Sequence, residues 1–330
     1  MPNTPRTSTQ LVTVISLALA VLAASASPAL AAKNRSTTRL TASATSTTSS
    51  NLWTSVRLAS PARTQVKDGN GGLLATFTDG SRSVVLTGPV RTLRESGTTA
   101  SVTTASWVRL LPSPFNAVVD QAWLEAALVD RSPDVLAVAM QYVTGSPTVR
   151  SADGLLVAAD ASYGPLVDGA RQEGSDWNDF LQVKASYDGI ADPPETAQAG
   201  ALDCSGFVRM VFGRRLGMPM ALASDRVRLP RRATQMHTDG PGTLLAGSTT
   251  RLTDLSLLLA GDLVLFDASS DDGTAVDHVG IYLGRDAADR PRFISSRKAV
   301  DGPTLSDTGG RSTLDGTGLY ATSLRAVRRL

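Results

Sequence analysis

Cysteine and histidine are scarce in this chain, whose 330 residues include one cysteine and two histidines. A single thiol excludes an internal disulfide framework. One cysteine and two histidines without a spaced cluster argue against a zinc site. We therefore expect neither a metal ion nor a cofactor.

Strong net charge is also lacking. The formal charge is +2 at pH 7 and the sequence pI is about 8.8. Lysine and arginine form no stripe along the chain, so we expect no nucleic-acid partner. Hydrophobic residues make up 42% and charged residues 19%, a balance typical of a globular protein.

Long apolar runs are absent after the N-terminal end. Residues 11–24 are apolar except for two hydroxyl residues, Arg6 precedes them, and residues 29–31 read Ala-Leu-Ala. A membrane anchor is the alternative reading, but a spanning helix needs roughly 20 apolar residues. We expect residues 1–32 to be a cleaved signal peptide. The mature protein is then secreted, extracellular or wall-associated, without a membrane span.

Composition divides the rest of the chain into three parts. Residues 33–50 are rich in Ser and Thr, which predicts a disordered linker. Residues 51–176 alternate short apolar runs with turn signals at 68–72 and 78–81, which indicates a β-rich region with helices. Residues 177–330 form the part that carries the informative motifs.

Hydrophobic periodicity places the main elements. We predict helices at 117–129, 133–143, 176–184 and 204–216. Strands are expected at 73–77, 83–87, 101–111, 262–267, 276–283, 291–295 and 318–327. A helix followed by an antiparallel sheet is an α+β arrangement.

Cys204 is the candidate nucleophile. Phe207, Val208, Val211 and Phe212 follow it at helical spacing, so the thiol lies at a helix N-terminus. Unpaired N–H groups there stabilise a thiolate and a developing oxyanion. Gly206 is expected to let a substrate chain approach the backbone. The alternative is a buried core cysteine.

His278 is the candidate base. Strand alternation puts His278, Gly280 and Tyr282 on one face and turns Val279 and Ile281 to the core. Gly280 is expected to leave room for the helix that carries the thiol. A neutral imidazole against that thiol could accept its proton and return it to a leaving amine. His237 lacks the strand and the glycine spacing, so we interpret it as a surface histidine.

Four segments, taken in order, resemble one known family. They are 202–208 (LDCSGFV), 229–232 (LPRR), 261–266 (GDLVLF) and 278–284 (HVGIYLG). Together they resemble the NlpC-type peptidoglycan endopeptidases, which are papain-like cysteine peptidases. The resemblance covers about residues 177–330.

The resemblance implies an activity and a site. It implies hydrolysis of an amide bond in the peptide stems of peptidoglycan, with Cys204 as nucleophile and His278 as general base and acid. It also implies that Asp203 and Ser205 help to bind the substrate amine. Peptidoglycan stem peptides are the implied partner.

Two departures from the family pattern stand out. The family has a third polar residue after the base, most often histidine, and Ser295 occupies that place here. A hydroxyl could accept a hydrogen bond from the imidazole and orient it. The family also has a tyrosine shortly before the cysteine. Tyr187 is the nearest candidate for substrate binding, although an insertion at 192–195 separates it from Cys204.

Three functions are therefore open. The first is an active cell-wall cysteine endopeptidase. The second is a wall-binding module that kept the fold but lost turnover, which Ser295 and the altered tyrosine region motivate. The third is a thiol amidase or acyltransferase that uses the same cysteine and histidine.

Overall fold

The computed structural model of the chain describes residues 53–270 and 273–330. The expected signal peptide and linker, residues 1–50, lie outside the described residues. Across the described ranges, no helix is both long enough and apolar enough to cross a membrane.

An antiparallel meander opens the described chain. Its strands, in sheet order, are β1 (Thr54–Ala59), β2 (Ala62–Lys67), β3 (Leu73–Thr78), β4 (Ser83–Arg94) and β5 (Ser101–Leu110). Both predicted turns are confirmed between β2, β3 and β4. In the first turn, the Asp68 carboxylate accepts hydrogen bonds from the backbone N–H groups of Asn70 and Gly72 at 2.8 Å.

Two helices follow this sheet, as the periodicity predicts, but both are shorter than expected. They are α1 (Gln121–Val129) and α2 (Val135–Ala139), and a 3₁₀ turn at Met140–Tyr142 extends the second. Asp120 and Asp134 cap them by accepting backbone N–H groups of the first turn. Leu124 of α1 packs with Phe77 and Val84 against the meander.

Short elements connect this region to the cysteine helix. They are the hairpins β6 (Val149–Arg150) with β7 (Leu156–Ala158) and β8 (Leu166–Val167) with β9 (Ala170–Arg171), then α3 (Trp177–Leu181), then the hairpin β10 (Ala185–Tyr187) with β11 (Ile190–Asp192). A 3₁₀ turn at Thr196–Gln198 precedes the cysteine helix.

The predicted helix at 204–216 is confirmed with one irregularity. It begins as α4 (Cys204–Val208) and continues as a π-helical segment, Arg209–Arg215. Its apolar face is fully buried at Phe207, Val211 and Phe212. Helix α5 (Ala233–Asp239) comes next.

The second sheet is antiparallel and carries the histidine. Its strands in the described ranges are β12 (Thr243–Gly247), β13 (Leu263–Phe266), β14 (His278–Arg285), β15 (Pro291–Arg297), β16 (Gly302–Thr304) and β17 (Leu324–Arg329). Their spatial order is β12-β17-β13-β14-β15-β16. A 3₁₀ turn, Lys298–Val300, links β15 to β16. The predicted α+β class, with a cysteine-bearing helix packed on an antiparallel sheet, is confirmed.

The two faces of β14 divide as the alternation predicts. Val279 and Ile281 pack in the core that holds Cys204, whereas Tyr282 packs on the opposite face with Phe266 and Phe293. The predicted strand at 318–327 is wrong in its first half. Residues Leu319–Ser323 form helix α6, which buries Tyr320 against that opposite face.

One hydrophobic core reaches from the meander to the cysteine helix. It contains Leu93 and Val102 together with Cys204, Leu265 and Val279. The described residues belong to one compact unit, Ser50–Leu330. The division into 51–176 and 177–330 stays a prediction from sequence composition.

Candidate active site

The backbone around Asp203 sets the position of the thiol. The Asp203 carboxylate caps α4 by accepting the Gly206 N–H at 2.7 Å. Cys204 is therefore the first residue of the helix, as expected. Gly206 has a different role from the predicted one, because a Cβ there would lie 2.1 Å from the carbonyl oxygen of Ser175. The close approach is made by the protein's own chain and not by a substrate.

The sulfur faces the start of β14. Its Sγ lies 3.8 Å from the carbonyl oxygen of Asp277, and the backbone N–H of Val279 also points towards it. These two residues flank His278, so the structure brings Cys204 to the chain segment that carries the histidine. Gly280 serves β15 and not the helix, because a Cβ there would lie 2.8 Å from the Ile294 carbonyl oxygen.

The imidazole of His278 is enclosed by aromatic rings. Its ring centroid lies 5.9 Å from that of Phe266 and 5.2 Å from that of Tyr320. The side chain is 9% exposed, and Nε2 is buried with no hydrogen-bond partner among the described residues. Among the described residues, no polar neighbour therefore orients the imidazole through Nε2.

Burial dominates the protonation of both groups. It raises the pKa of the Cys204 thiol, and the Asp203 charge adds to the rise, while the Val279 N–H opposes it. Burial, together with the Arg297 charge, lowers the pKa of His278 to about 3. Burial therefore opposes the ionisation of the thiol that the helix terminus is expected to favour.

A cleft of about 400 Å³ opens onto the sulfur. The lining residues come from five chain segments and include both polar and charged groups: Tyr163, Glu173, Gly174, Asp203, Cys204, Ser205, Arg231, Arg232, Ala233, Thr234, Ala275, Val276 and Asp277. Cys204 is 6% exposed, so solvent reaches the thiol only through this cleft. A cleft next to a nucleophile can seat a peptide segment.

Asp203 and Ser205 both line the cleft, but Arg231 already donates hydrogen bonds to both side chains. Arg231 binds both carboxylate oxygens of Asp203, at 3.2 and 2.7 Å, and donates to Ser205 Oγ at 2.7 Å. Gly174 N–H, Gly206 N–H and Ser205 Oγ also donate to this carboxylate. Burial would raise the pKa of Asp203, yet Arg231 and these donors hold it below its usual range.

Tyr187 lies behind the helix and not in the cleft lining. Its hydroxyl accepts hydrogen bonds from Trp177 Nε1 at 2.8 Å and Arg209 at 2.5 Å. Arg209 in turn pairs with the buried Asp176. Tyr187 thus belongs to a network that supports α4. The tyrosine that lines the cleft is Tyr163, which lies 41 residues before Cys204 in the sequence.

Ser295 is fully buried on β15 and accepts a hydrogen bond from Arg297 Nε at 3.0 Å. Among the described residues, its hydroxyl makes no hydrogen bond to His278. The predicted orienting role of Ser295 stays a prediction.

His237 lies in α5 and is partly exposed. Burial and the nearby Arg328 lower its pKa. The described part of the chain holds no group of three or more His, Cys, Asp or Glu residues suited to a metal ion.

Sequence reasoning missed three residues of the site. Tyr163 reaches the cleft from the segment before β8, and its only local signal is the Gly164-Pro165 pair that follows it. Arg231 belongs to a quoted motif, but its partner Asp203 is 28 residues away. Arg297 lies two residues after Ser295, on the same face of β15 by strand alternation.

The sequence was compared with models of known protein families and with known proteins. A family model described as NlpC/P60 family matches residues 194–301, which include Cys204, His278 and Ser295. No curated protein matches the chain.

Three solved structures are similar to this chain at low sequence identity and low TM-score. A lipoprotein-like protein of the NLP/P60 family from Staphylococcus aureus is 18% identical with a TM-score of 0.29, and covers 63% of this chain. This chain spans 47% of that protein's length. NlpC1 from Trichomonas vaginalis is 15% identical with a TM-score of 0.31, over 86% of this chain and 90% of that one. NlpC2 from the same organism is 14% identical with a TM-score of 0.30, over 85% and 94%.

The family assignment rests on the matched segment, which holds the cysteine helix and the histidine strand. Residues 194–301 therefore resemble the NlpC/P60 family, whose members are generally cell-wall peptidases or amidases.

Proposed function

We propose that this protein is a secreted cysteine peptidase that hydrolyses amide bonds in the stem peptides of peptidoglycan. The observation that carries the proposal is the contact of the Cys204 sulfur with the backbone on both sides of His278, at the wall of an open cleft. The family of residues 194–301 supports the same chemistry.

The reaction follows from the roles of the two side chains. An imidazole nitrogen of His278 accepts the thiol proton while Sγ attacks the substrate carbonyl carbon. The tetrahedral intermediate collapses, the C–N bond breaks, and the imidazolium gives its proton to the leaving amine. Water then attacks the thioester with the imidazole as base, which releases the acid and restores the thiol.

The cleft offers carboxylates that can bind a free amine of the substrate. Asp203, Asp277 and the exposed Glu173 lie in the lining beside Arg231 and Arg232, and Glu173 pairs with Lys298 at the surface. Five donors already contact Asp203, and a carboxylate offers about four lone-pair sites. We therefore propose that Asp203 binds the amine of the substrate once Arg231 has moved away from the carboxylate.

The test is cleavage of defined muropeptides. Purified protein lacking residues 1–32 is incubated with peptidoglycan fragments in water enriched in ¹⁸O, and the products are analysed by mass spectrometry. We expect a new amine and a new carboxylate that carries one ¹⁸O. Cys204→Ala should abolish both products, and His237→Gln, which alters the other histidine, should leave them unchanged.

The same experiment separates the alternatives. Binding to peptidoglycan without any product would contradict the peptidase and favour the wall-binding module, for which the buried thiol and the unoriented imidazole are the supporting observations. Products that join an added amine in place of water would favour an acyltransferase.

A further inference from the structure

A buried positive charge lies beside the histidine, on the neighbouring strand. The register pairs Ile281 with Ile294 and Tyr282 with Phe293. Ile281 and Ile294 are the last paired residues towards the start of β14, and β15 continues beyond them through Ser295 to Arg297. A Cβ on Gly280 would lie 3.2 Å from the Ser295 Cβ, so this part of β15 stays close to β14.

Arg297 is held firmly in this position. It is 1% exposed and donates to Ser295 Oγ at 3.0 Å, to the Gly310 carbonyl at 2.7 Å and to Ser312 Oγ at 2.5 Å. It forms an ion pair with no carboxylate of the described residues. Burial lowers the pKa of its guanidinium to about 10, which still leaves it charged at neutral pH.

One aromatic ring contacts both groups. The guanidinium carbon of Arg297 lies 4.4 Å from the centroid of Tyr320, and the imidazole centroid of His278 lies 5.2 Å from the same point. Tyr320 therefore contacts both the cation and the imidazole, and all three side chains are buried. A like charge at such a position disfavours the protonated imidazole.

We propose that Arg297 is a positioning residue for His278: it binds the Ser295 hydroxyl and sets a fixed positive charge across the strand pair, so that the resting site holds a neutral imidazole and a neutral thiol. This inference rests on the proposed function of the site. Proton transfer then accompanies attack on the substrate, and the free thiol resists oxidation and alkylation between turnovers.

The other charges around the imidazole do not replace Arg297. Lys298 follows it and acts in the same direction, while Asp203, before α4, acts in the opposite direction. Asp203 is already neutralised by Arg231 at 2.7 Å. Cys204 is uncharged in the resting site, as is Tyr320, whose pKa is raised by burial.

The direct test is an NMR titration of the two histidines. The imidazole signals of His278 and His237 are followed from pH 3.5 to 9, with His237→Gln used for assignment. We expect His278 in the wild-type protein to stay neutral above about pH 5 and to begin to titrate only at the acid end of this range. Titration of His278 near pH 6.5 in the wild type would overturn the proposal without any variant.

Variants separate the charge from the hydrogen bond. Arg297→Gln keeps a donor towards Ser295 and removes the charge, so we expect the His278 pKa to rise by about one unit, a tenfold change in imidazolium fraction. Iodoacetamide labelling of Cys204 at pH 7 should rise by up to about tenfold. Arg297→Lys keeps the charge and should titrate like the wild type. An unchanged His278 titration in folded Arg297→Gln contradicts the proposal.

Ser295→Ala keeps the proposal testable where the glutamine variant does not fold. It leaves the Arg297 charge in place, so we expect the His278 titration and its ¹⁵N tautomer signature to stay as in the wild type. A changed tautomer would instead show that Ser295 orients the imidazole, which overturns the role given to Arg297. These readouts need no turnover, so inactivity on muropeptides would refute the proposed function alone.

Discussion

The thiol of Cys204 lies in a cleft wall that is rich in charge and nearly closed to water. Asp203, the residue before it, is ionised and paired with Arg231, so the closest charge to the sulfur is negative. A substrate that displaces Arg231 or brings a cation into the cleft changes this balance. The reactivity of the site is thus expected to depend on substrate binding.

We predict that Asp203→Asn lowers the free energy of unfolding by about 3 kcal/mol at pH 7, because it removes the nearer carboxylate partner of the partly buried Arg231 and leaves only Asp176 at 3.6 Å. The folded pKa of Asp203 lies below its unfolded value. Its charge therefore contributes stability that is fully present above the unfolded value, near pH 4, and is lost as the pH falls through the folded pKa. Urea unfolding at pH 7 and at pH 3 measures both values. A difference that does not shrink at the lower pH would contradict the ion pair.

We predict that Gly206→Ala destabilises the protein by at least about 2 kcal/mol, because its Cβ would overlap the Ser175 carbonyl and force α4 away. Gly247→Ala is the matched control, because a Cβ there meets only Leu244 at 3.6 Å. We expect the control to lie within about 0.5 kcal/mol of the wild type. Thermal unfolding of the two variants compares them, and equal stability would refute the close contact.

At the scale of elements, the strand that carries the histidine pairs with β13 on one side and with β15 on the other. β13 also pairs with β17, and Arg329 of β17 forms a buried ion pair with Asp262 at 2.7 Å, next to β13. Arg329 also donates to Thr78 of the meander. This arginine therefore fixes the sheet on which the site is built.

We predict that Arg329→Met destabilises the protein by about 3–5 kcal/mol, because it leaves the Asp262 carboxylate buried and unpaired. Asp262→Asn in the same chain should recover part of this loss, since the uncompensated charge is then gone. A double-mutant cycle from urea unfolding measures the coupling. Additive effects of the two substitutions would show that the pair contributes nothing.

The sequence predicts best the elements with strong periodicity. The apolar spacing after Cys204 predicts the helix, and the alternation around His278 predicts the strand, because each pattern follows from one buried face. Residues 319–323 alternate too weakly to separate helix from strand, and packing of Tyr320 decides for α6. Contacts between distant segments, such as Tyr163 in the cleft or Ser175 against Gly206, leave no local pattern.

At the scale of the whole molecule, the meander and the catalytic segment are joined by a buried carboxylate. Glu95 follows β4, is 4% exposed, and accepts hydrogen bonds from the Thr304 hydroxyl and from the backbone N–H groups of Leu305 and Ser306. These residues adjoin β16, which pairs with Ser295 of β15. The meander therefore supports the strand that carries Arg297.

We predict that Glu95→Ala lowers the free energy of unfolding by about 2–4 kcal/mol, because the buried Leu305 N–H and the Thr304 hydroxyl lose the carboxylate and the Ser306 N–H keeps only the Thr304 hydroxyl. Glu125→Ala, at an exposed position of α1, is the control and should have little effect. Urea unfolding followed by tryptophan fluorescence and by circular dichroism should give coincident transitions, since one core spans both regions. Separate transitions would show that the meander and the catalytic segment unfold independently.

The proposed catalysis requires the sulfur of Cys204 to form a bond with the carbonyl carbon of a stem peptide. Intact protein mixed with a muropeptide is quenched in acid within milliseconds to seconds, and peptide mass mapping locates any acyl adduct. We predict an adduct on the peptide that contains Cys204, which appears before the product and decays as the product accumulates. Product formed by Cys204→Ala at the wild-type rate, with no adduct on the wild-type cysteine, would contradict catalysis by this thiol.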